Sequence, residues 1–256
     1  MNKVPQITLA FWVMKICATT LGETAGDLLS MTLNVGYAIS TLILLGVFVV
    51  TLASQLAAKS YHPFLYWTVI LSTSTAGTTM SDYMDRTLGL GYVTGSLILI
   101  AILLSILASW RLAVGSLSVD NISAFKVEAF YWAAILTSNT LGTAFGDFLA
   151  DSSGLGFAGG AILIAGALAL IIATAFYTKI SRTFLFWAAF VLTRPFGATM
   201  GDLLSKSPED HGLGVGTAGS SLILASILIV VTLWTAYKES ARRQTSSFAP
   251  SQSIVD

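Results

Sequence analysis

Two kinds of apolar stretch alternate along the chain, four of each. Ile39 to Ala53, Gly95 to Ala108, Gly159 to Ala175 and Ser221 to Thr235 carry no charge, and each lies inside a stretch near the ~20 residues that cross ~30 Å of hydrocarbon. Ahead of each comes a second stretch broken by small and polar residues: Ile7 to Leu29, Phe64 to Met84, Ala129 to Leu149 and Phe184 to Leu204. The pattern predicts an all-α polytopic membrane protein of eight transmembrane helices. The first stretch contains Lys15, Glu23 and Asp27 and lacks the h-region of a secretory signal, so it is expected to be retained.

Composition agrees, with 55% apolar and only 10% charged residues against roughly 25% in an average soluble domain. The net charge of zero says nothing about partners, whereas its placement does. Lys3, Lys59, Arg111, Lys126, Lys179, Arg182, Lys238, Arg242 and Arg243 lie at the termini or between repeats, and the loops inside repeats hold only Arg86 and Lys206. The positive-inside tendency then puts both termini in the cytoplasm, and short loops suit a bacterial inner membrane. Cys17 is the only cysteine, which rules out an intramolecular disulfide or a thiolate cluster.

Setting Trp12, Trp67, Trp132 and Trp187 in register places Gly22, Gly77, Gly142 and Gly197 ten residues on and Asp27, Asp82, Asp147 and Asp202 fifteen on, without a gap. Nine residues beyond the aspartate follow Gly36, Gly91 and Gly156, and the fourth copy reaches Gly214 after an apparent three-residue insertion. The tryptophans are spaced by 55, 65 and 55 residues, which suggests two rounds of duplication. Each copy holds two spans, so the copies are parallel and their aspartates share one depth. The divisions expected are 1–58, 59–118, 119–178 and 179–237, with 238–256 as a flexible cytoplasmic tail unable to bury enough apolar surface to order itself.

The fourfold Trp, Gly, Asp pattern, with Leu21-Gly22-Glu23-Thr24-Ala25-Gly26-Asp27 as its fullest form, resembles the bacterial membrane-anchored proteins defined by a repeat of unknown function. The resemblance covers nearly the whole chain before the tail and implies no activity. Function must come from the residues.

Seven, eleven and fifteen residues after each tryptophan stand Thr19, Glu23 and Asp27; Ser74, Thr78 and Asp82; Asn139, Thr143 and Asp147; Arg194, Ala198 and Asp202. A spacing of four keeps them on one helical face. A charge at the bilayer centre costs roughly 2.5–3.5 kcal/mol on insertion scales, so these faces should meet inside a bundle. The aspartates read either as caps that fix the following turn or as oxygen ligands of a divalent cation. Glu23 occurs only in copy one and Arg194 only in copy four, so the two either pair or leave Arg194 as a tethered competitor of a transported cation. Pro195 is expected to break its helix locally. Lys15 reads as a snorkelling lysine, the tryptophans as an interfacial belt, and the glycines with Gly26, Ser81, Gly146 and Gly201 as close-packing positions.

These residues favour a secondary transporter of a divalent cation, manganese being one candidate, coupled to protons. Gly22 to Asp27 is similar in type, as chemistry only, to the Glu-x-Gly-Asp signature of calcium and manganese/proton exchangers. The candidate site is Glu23, Asp27, Asp82, Asp147 and Asp202 as metal ligands, with Arg194, Thr19 and Asn139 beside them. A channel or organic-solute carrier, and a noncatalytic scaffold, stand as alternatives. No enzyme, cofactor or nucleic-acid partner is expected; the partners are the lipid bilayer and a small cation or solute, with a homo-oligomer left open.

Overall fold

The computed structural model describes residues 3–119, 122 and 124–247, with side chains through Lys238. Among these residues the chain forms eight α-helices: α1 (Leu9–Asp27), α2 (Tyr37–Ala57), α3 (Pro63–Asp82), α4 (Gly91–Val114), α5 (Phe125–Asp147), α6 (Gly156–Tyr177), α7 (Arg182–Ser205) and α8 (Gly216–Ser247). A local signal starts three of them: the Thr8 and Ser181 hydroxyls accept from Phe11 and Phe184 N–H, and Pro63 opens α3. The helices α2, α4, α6 and α8, the last over Gly216–Lys238, are each long and apolar enough to cross a membrane.

The polar-striped helices form a closed inner ring, α1 against α3, α3 against α5, α5 against α7 and α7 back against α1. Each outer helix packs chiefly on the inner helix of the next copy, α2 on α3, α4 on α5, α6 on α7 and α8 on α1. Repeat boundaries in sequence are therefore not packing boundaries. The last outer helix closes the circle on the first inner one.

The glycines set the ring's diameter. A Cβ on Gly22, Gly77, Gly142 or Gly197 would collide with Ser74, Asn139, Arg194 or Thr19 of the next inner helix, the position seven after its tryptophan in every case. One turn on, Gly26 meets Thr78, Gly146 meets Ala198 and Gly201 meets Glu23. The same offset at all four contacts means that the inner helices run parallel and that the ring is pseudo-fourfold. With apolar side chains and lipid tails alike in polarity, close backbone approach is what drives such contacts.

Beyond its aspartate, each of the first three copies adds one π-helical turn, Leu28–Thr32, Tyr83–Thr87 and Phe148–Ser152, before the chain reverses. Positive φ angles at Gly36, Gly91, Gly156 and Gly216 mark the entry to the outer helix. Gly216, and not Gly214, is thus the fourth counterpart, and the insertion is five residues; it forms the short 3-10 turn Pro208–Asp210.

Three local expectations change. The helix α7 runs unbroken through Pro195. The α8 helix continues to Ser247 because Lys238 to Arg243 are good helix formers and the next proline is Pro250, so the start of the expected tail is ordered; residues 248–256 lie outside the description. Trp67, Trp132 and Trp187 are buried and form no interfacial belt. Each ring before a tryptophan packs instead on the tryptophan of the next copy, Phe11 on Trp67, Tyr66 on Trp132, Tyr131 on Trp187 and Phe186 on Trp12, with centroids 5.7–6.4 Å apart. A short hydrogen bond of 2.6 Å joins the Tyr66 and Tyr131 hydroxyls. This aromatic collar closes the ring at the end where the N-terminal segment is tied down by Lys3, whose Nζ contacts Glu128 Oε2 at 2.8 Å and donates to the Leu56 carbonyl.

Candidate functional site

Above the collar, successive helical turns line the inner ring with increasingly polar layers. Lys15, Ile70, Ile135 and Phe190 come first. The Lys15 side chain is fully buried, so the snorkelling expectation fails. Its Nζ lies 4.1 Å from the Phe190 ring centroid and has no hydrogen-bond partner among the described residues. It stays inside because α1 is enclosed by α3, α7 and α8.

One turn higher stand Thr19, Ser74, Asn139 and Arg194. The first three serve the helix contacts. Thr19 Oγ1 lies within bonding distance of its own helix carbonyls and of Thr193 O, and Asn139 Nδ2 donates to Thr73 Oγ1 at 2.8 Å. Thr19 and Asn139, expected at the site, are therefore placed in the glycine interfaces and have no bond to the acidic residues. Arg194 is different because its length carries it out of that interface to the middle of the ring.

The Arg194 guanidinium is completely buried. Its Nη1 donates to Glu23 Oε2 at 2.8 Å, and its Nη2 donates to Thr78 Oγ1 at 2.6 Å and Thr143 Oγ1 at 2.7 Å. Thr143 Oγ1 is in turn 3.2 Å from Glu23 Oε2. All four copies thus meet here: Glu23 from copy one, Thr78 from two, Thr143 from three and, from four, Arg194, which stands one turn below the small Ala198 and reaches up to this level. The ion pair is one of the two readings that the sequence left open.

The next turn carries Asp27, Asp82, Asp147 and Asp202, all buried. None of Asp27, Asp82 and Asp147 caps the turn that follows it, so the capping reading is not realised for them. Their partners come from the layer above, four residues beyond each aspartate, where Met31, Arg86, Asp151 and Lys206 stand. Arg86 reaches Asp82 at 3.1 Å and Asp147 at 3.2 Å, while Lys206 reaches Asp27 at 2.7 Å and Asp202 at 3.3 Å. Each of these cations therefore clamps two copies. The sequence reading left both as loop charges. The signal that would have found them is their i,i+4 spacing from Asp82 and Asp202, and the helical extension past the aspartate is what makes that spacing count.

Within this ion-paired network five carboxylates face three cations, Arg194, Arg86 and Lys206. One oxygen each from Glu23, Asp147 and Asp202 lies within 4.8 Å of the others. Carboxylates that close can share a proton or a hard cation, whose oxygen ligands sit at ~2.0–2.6 Å from the ion. Arg86 and Lys206 retain 34% and 23% of their side-chain exposure, so the acidic layer is covered by cations that still touch solvent. At the opposite end it is backed by Arg194, Lys15 and the aromatic collar.

The repeat described as Repeat of Unknown Function (DUF347) matches four segments, residues 10–61, 65–115, 130–181 and 185–240. The chain belongs to this repeat family. The four matches coincide with the four helix pairs, so the DUF347 repeat is one inner helix, one turn and one outer helix that packs on its successor. No curated protein and no solved structure matches the chain.

Proposed function

We propose that this DUF347 protein crosses a bacterial inner membrane eight times, with both termini cytoplasmic, and that its inner ring carries a divalent cation in exchange for protons. One observation supports this reading above the others: the buried network holds five carboxylates against three bonded cations. Two negative charges remain, which one divalent cation or two protons would neutralise. Glu23, Asp147 and Asp202 would supply the first oxygens, Asp27 and Asp82 the remainder, and manganese or magnesium suits such a donor set. Arg194 holds Glu23 in place and blocks the ring below the site; Arg86 and Lys206 would have to swing aside for entry. The α1, α3, α5 and α7 helices pass through the membrane inside the apolar outer helices, and the acidic layer lies toward the side opposite the termini. No enzymatic step is part of this proposal.

A second reading has an observation of its own. Every aspartate of the layer already has a basic partner, as a noncatalytic scaffold held together by interhelical ion pairs would require. Calorimetric titration of the purified protein with Mn²⁺, Mg²⁺ and Ca²⁺ between about pH 5 and 8, together with ion uptake into proteoliposomes, separates the two. Exchange requires that binding release about two protons per ion and weaken as pH falls, because the ligands must be deprotonated. Asp147→Asn and Asp202→Asn should each weaken it. Absence of binding, or binding indifferent to pH and to these changes, leaves the scaffold.

A further inference from the structure

A crevice of about 910 Å³ opens on the flank of the bundle between α4 and α7, floored by Leu141 of α5. On α4 it extends from Ile100 to Arg111, roughly 16 Å at 1.5 Å per residue, which is about half of a ~30 Å hydrocarbon core. Its walls are apolar, Leu104 and Leu107 on one side and Trp187, Ala188 and Val191 on the other. At the end near the aromatic collar they give way to Arg111, Ser116, Ser181 and Thr183, and no acidic residue lines the crevice among the described residues.

The pseudo-symmetry supplies a control within the molecule. On the opposite flank α8 faces α3 across Phe64, Trp67, Thr68 and Leu71, the register equivalents of Phe184, Trp187, Ala188 and Val191, yet that groove measures only about 120 Å³. What differs is the connection between copies two and three, residues 115–124, five to six residues longer than the 58–62 and 178–181 connections. Its Gly115, Ser116 and Leu117 form the rim of the large crevice, where the Leu117 carbonyl accepts from Trp187 Nε1 at 3.0 Å.

We propose that this crevice is a binding site for one phospholipid with an acidic headgroup, from the leaflet on the side of the chain termini. An acyl chain lies between α4 and α7, and the phosphate meets Arg111 and the hydroxyls at the rim. The length matches one leaflet, the lining matches a hydrocarbon chain, and Arg111 sits at headgroup level. The lipid touches α7 within two turns of Arg194, so it bears on the inner helix that plugs the ring. The site depends on α4 lying in a membrane and is independent of what the acidic column binds.

The test is native mass spectrometry of the full chain released from nanodiscs made of equal parts phosphatidylglycerol and phosphatidylcholine. The wild-type protein should retain one phospholipid, predominantly phosphatidylglycerol. Ala188→Trp, which fills the crevice, and Leu104→Trp, which fills it from the lipid-facing helix without touching the ring, should each reduce retention about tenfold. Arg111→Gln should keep a lipid bound and lower the phosphatidylglycerol preference about fivefold, the share of one cation near a membrane surface. Thr68→Trp in the narrow groove should change nothing. The proposal is overturned if the wild-type chain retains no phospholipid, if neither filling variant reduces retention, if Thr68→Trp reduces it equally, or if the headgroup preference survives Arg111→Gln.

Discussion

Removing Arg194 tests whether the middle of the ring is held by one coupled network. Arg194→Leu keeps the Cβ and Cγ that press on Gly142 but deletes the donors to Glu23, Thr78, Thr143 and the Ser74 carbonyl. Breaking a buried pair by removing one partner costs about 3–5 kcal/mol, because an uncompensated charge remains. The Thr78 and Thr143 hydroxyls still face Glu23 at 3.3 and 3.2 Å, so the lower end, about 3 kcal/mol, is expected. Glu23→Leu strands a guanidinium left with only the neutral acceptors Thr78, Thr143 and the Ser74 carbonyl, and should cost a similar amount. With both charges gone, Arg194→Leu with Glu23→Leu removes the stranded partner in each case, and the double variant should be more stable than the sum of the singles by at least about 2 kcal/mol. Unfolding in detergent micelles titrated with SDS, followed by circular dichroism, measures all three. Single effects that add to within about 0.5 kcal/mol would refute the coupling and, with it, the role of Arg194 as Glu23's counter-ion.

Other expectations follow from the same geometry. Gly77→Ala would place its Cβ 2.9 Å from the backbone of Asn139 and Thr140, which cannot turn aside, so it should lower the unfolding midpoint sharply; Gly46→Ala in α2, with nothing within 4 Å, should be neutral or slightly stabilising. Lys15→Met replaces a buried amine lacking a hydrogen-bond partner by an apolar chain of similar length, and thermal stability should hold or rise, whereas a fall would give Lys15 a partner beyond the Phe190 ring.

How much of this was legible beforehand depended on the range of the interaction concerned. The four-residue spacing of Thr19, Glu23 and Asp27 and its three echoes is a local property, and it identified the faces that meet inside. Trp187 was misjudged because sequence reports that a residue is aromatic but not that Tyr131 of the preceding copy waits beside it. Lys15 was misjudged for the same reason. Arg86 and Lys206 were passed over as loop charges because nothing in the repeat announces that a π-helical turn, or the last residues of α7 to Ser205, carry the helix past the aspartate.

The repeat register, the alternation of striped and charge-free helices, and the common level of the four aspartates are periodic features, so the sequence alone determined them. Ring closure, the packing of each outer helix on the following copy, the pairing of Arg194 with Glu23 and the clamping of aspartates in twos belong to the tertiary structure. Each depends on which helices become neighbours, over separations that run from 21 residues between Thr51 and Ser72 to 171 between Glu23 and Arg194, and that was decided by where a missing Cβ lets two backbones approach and by which buried charges then find each other.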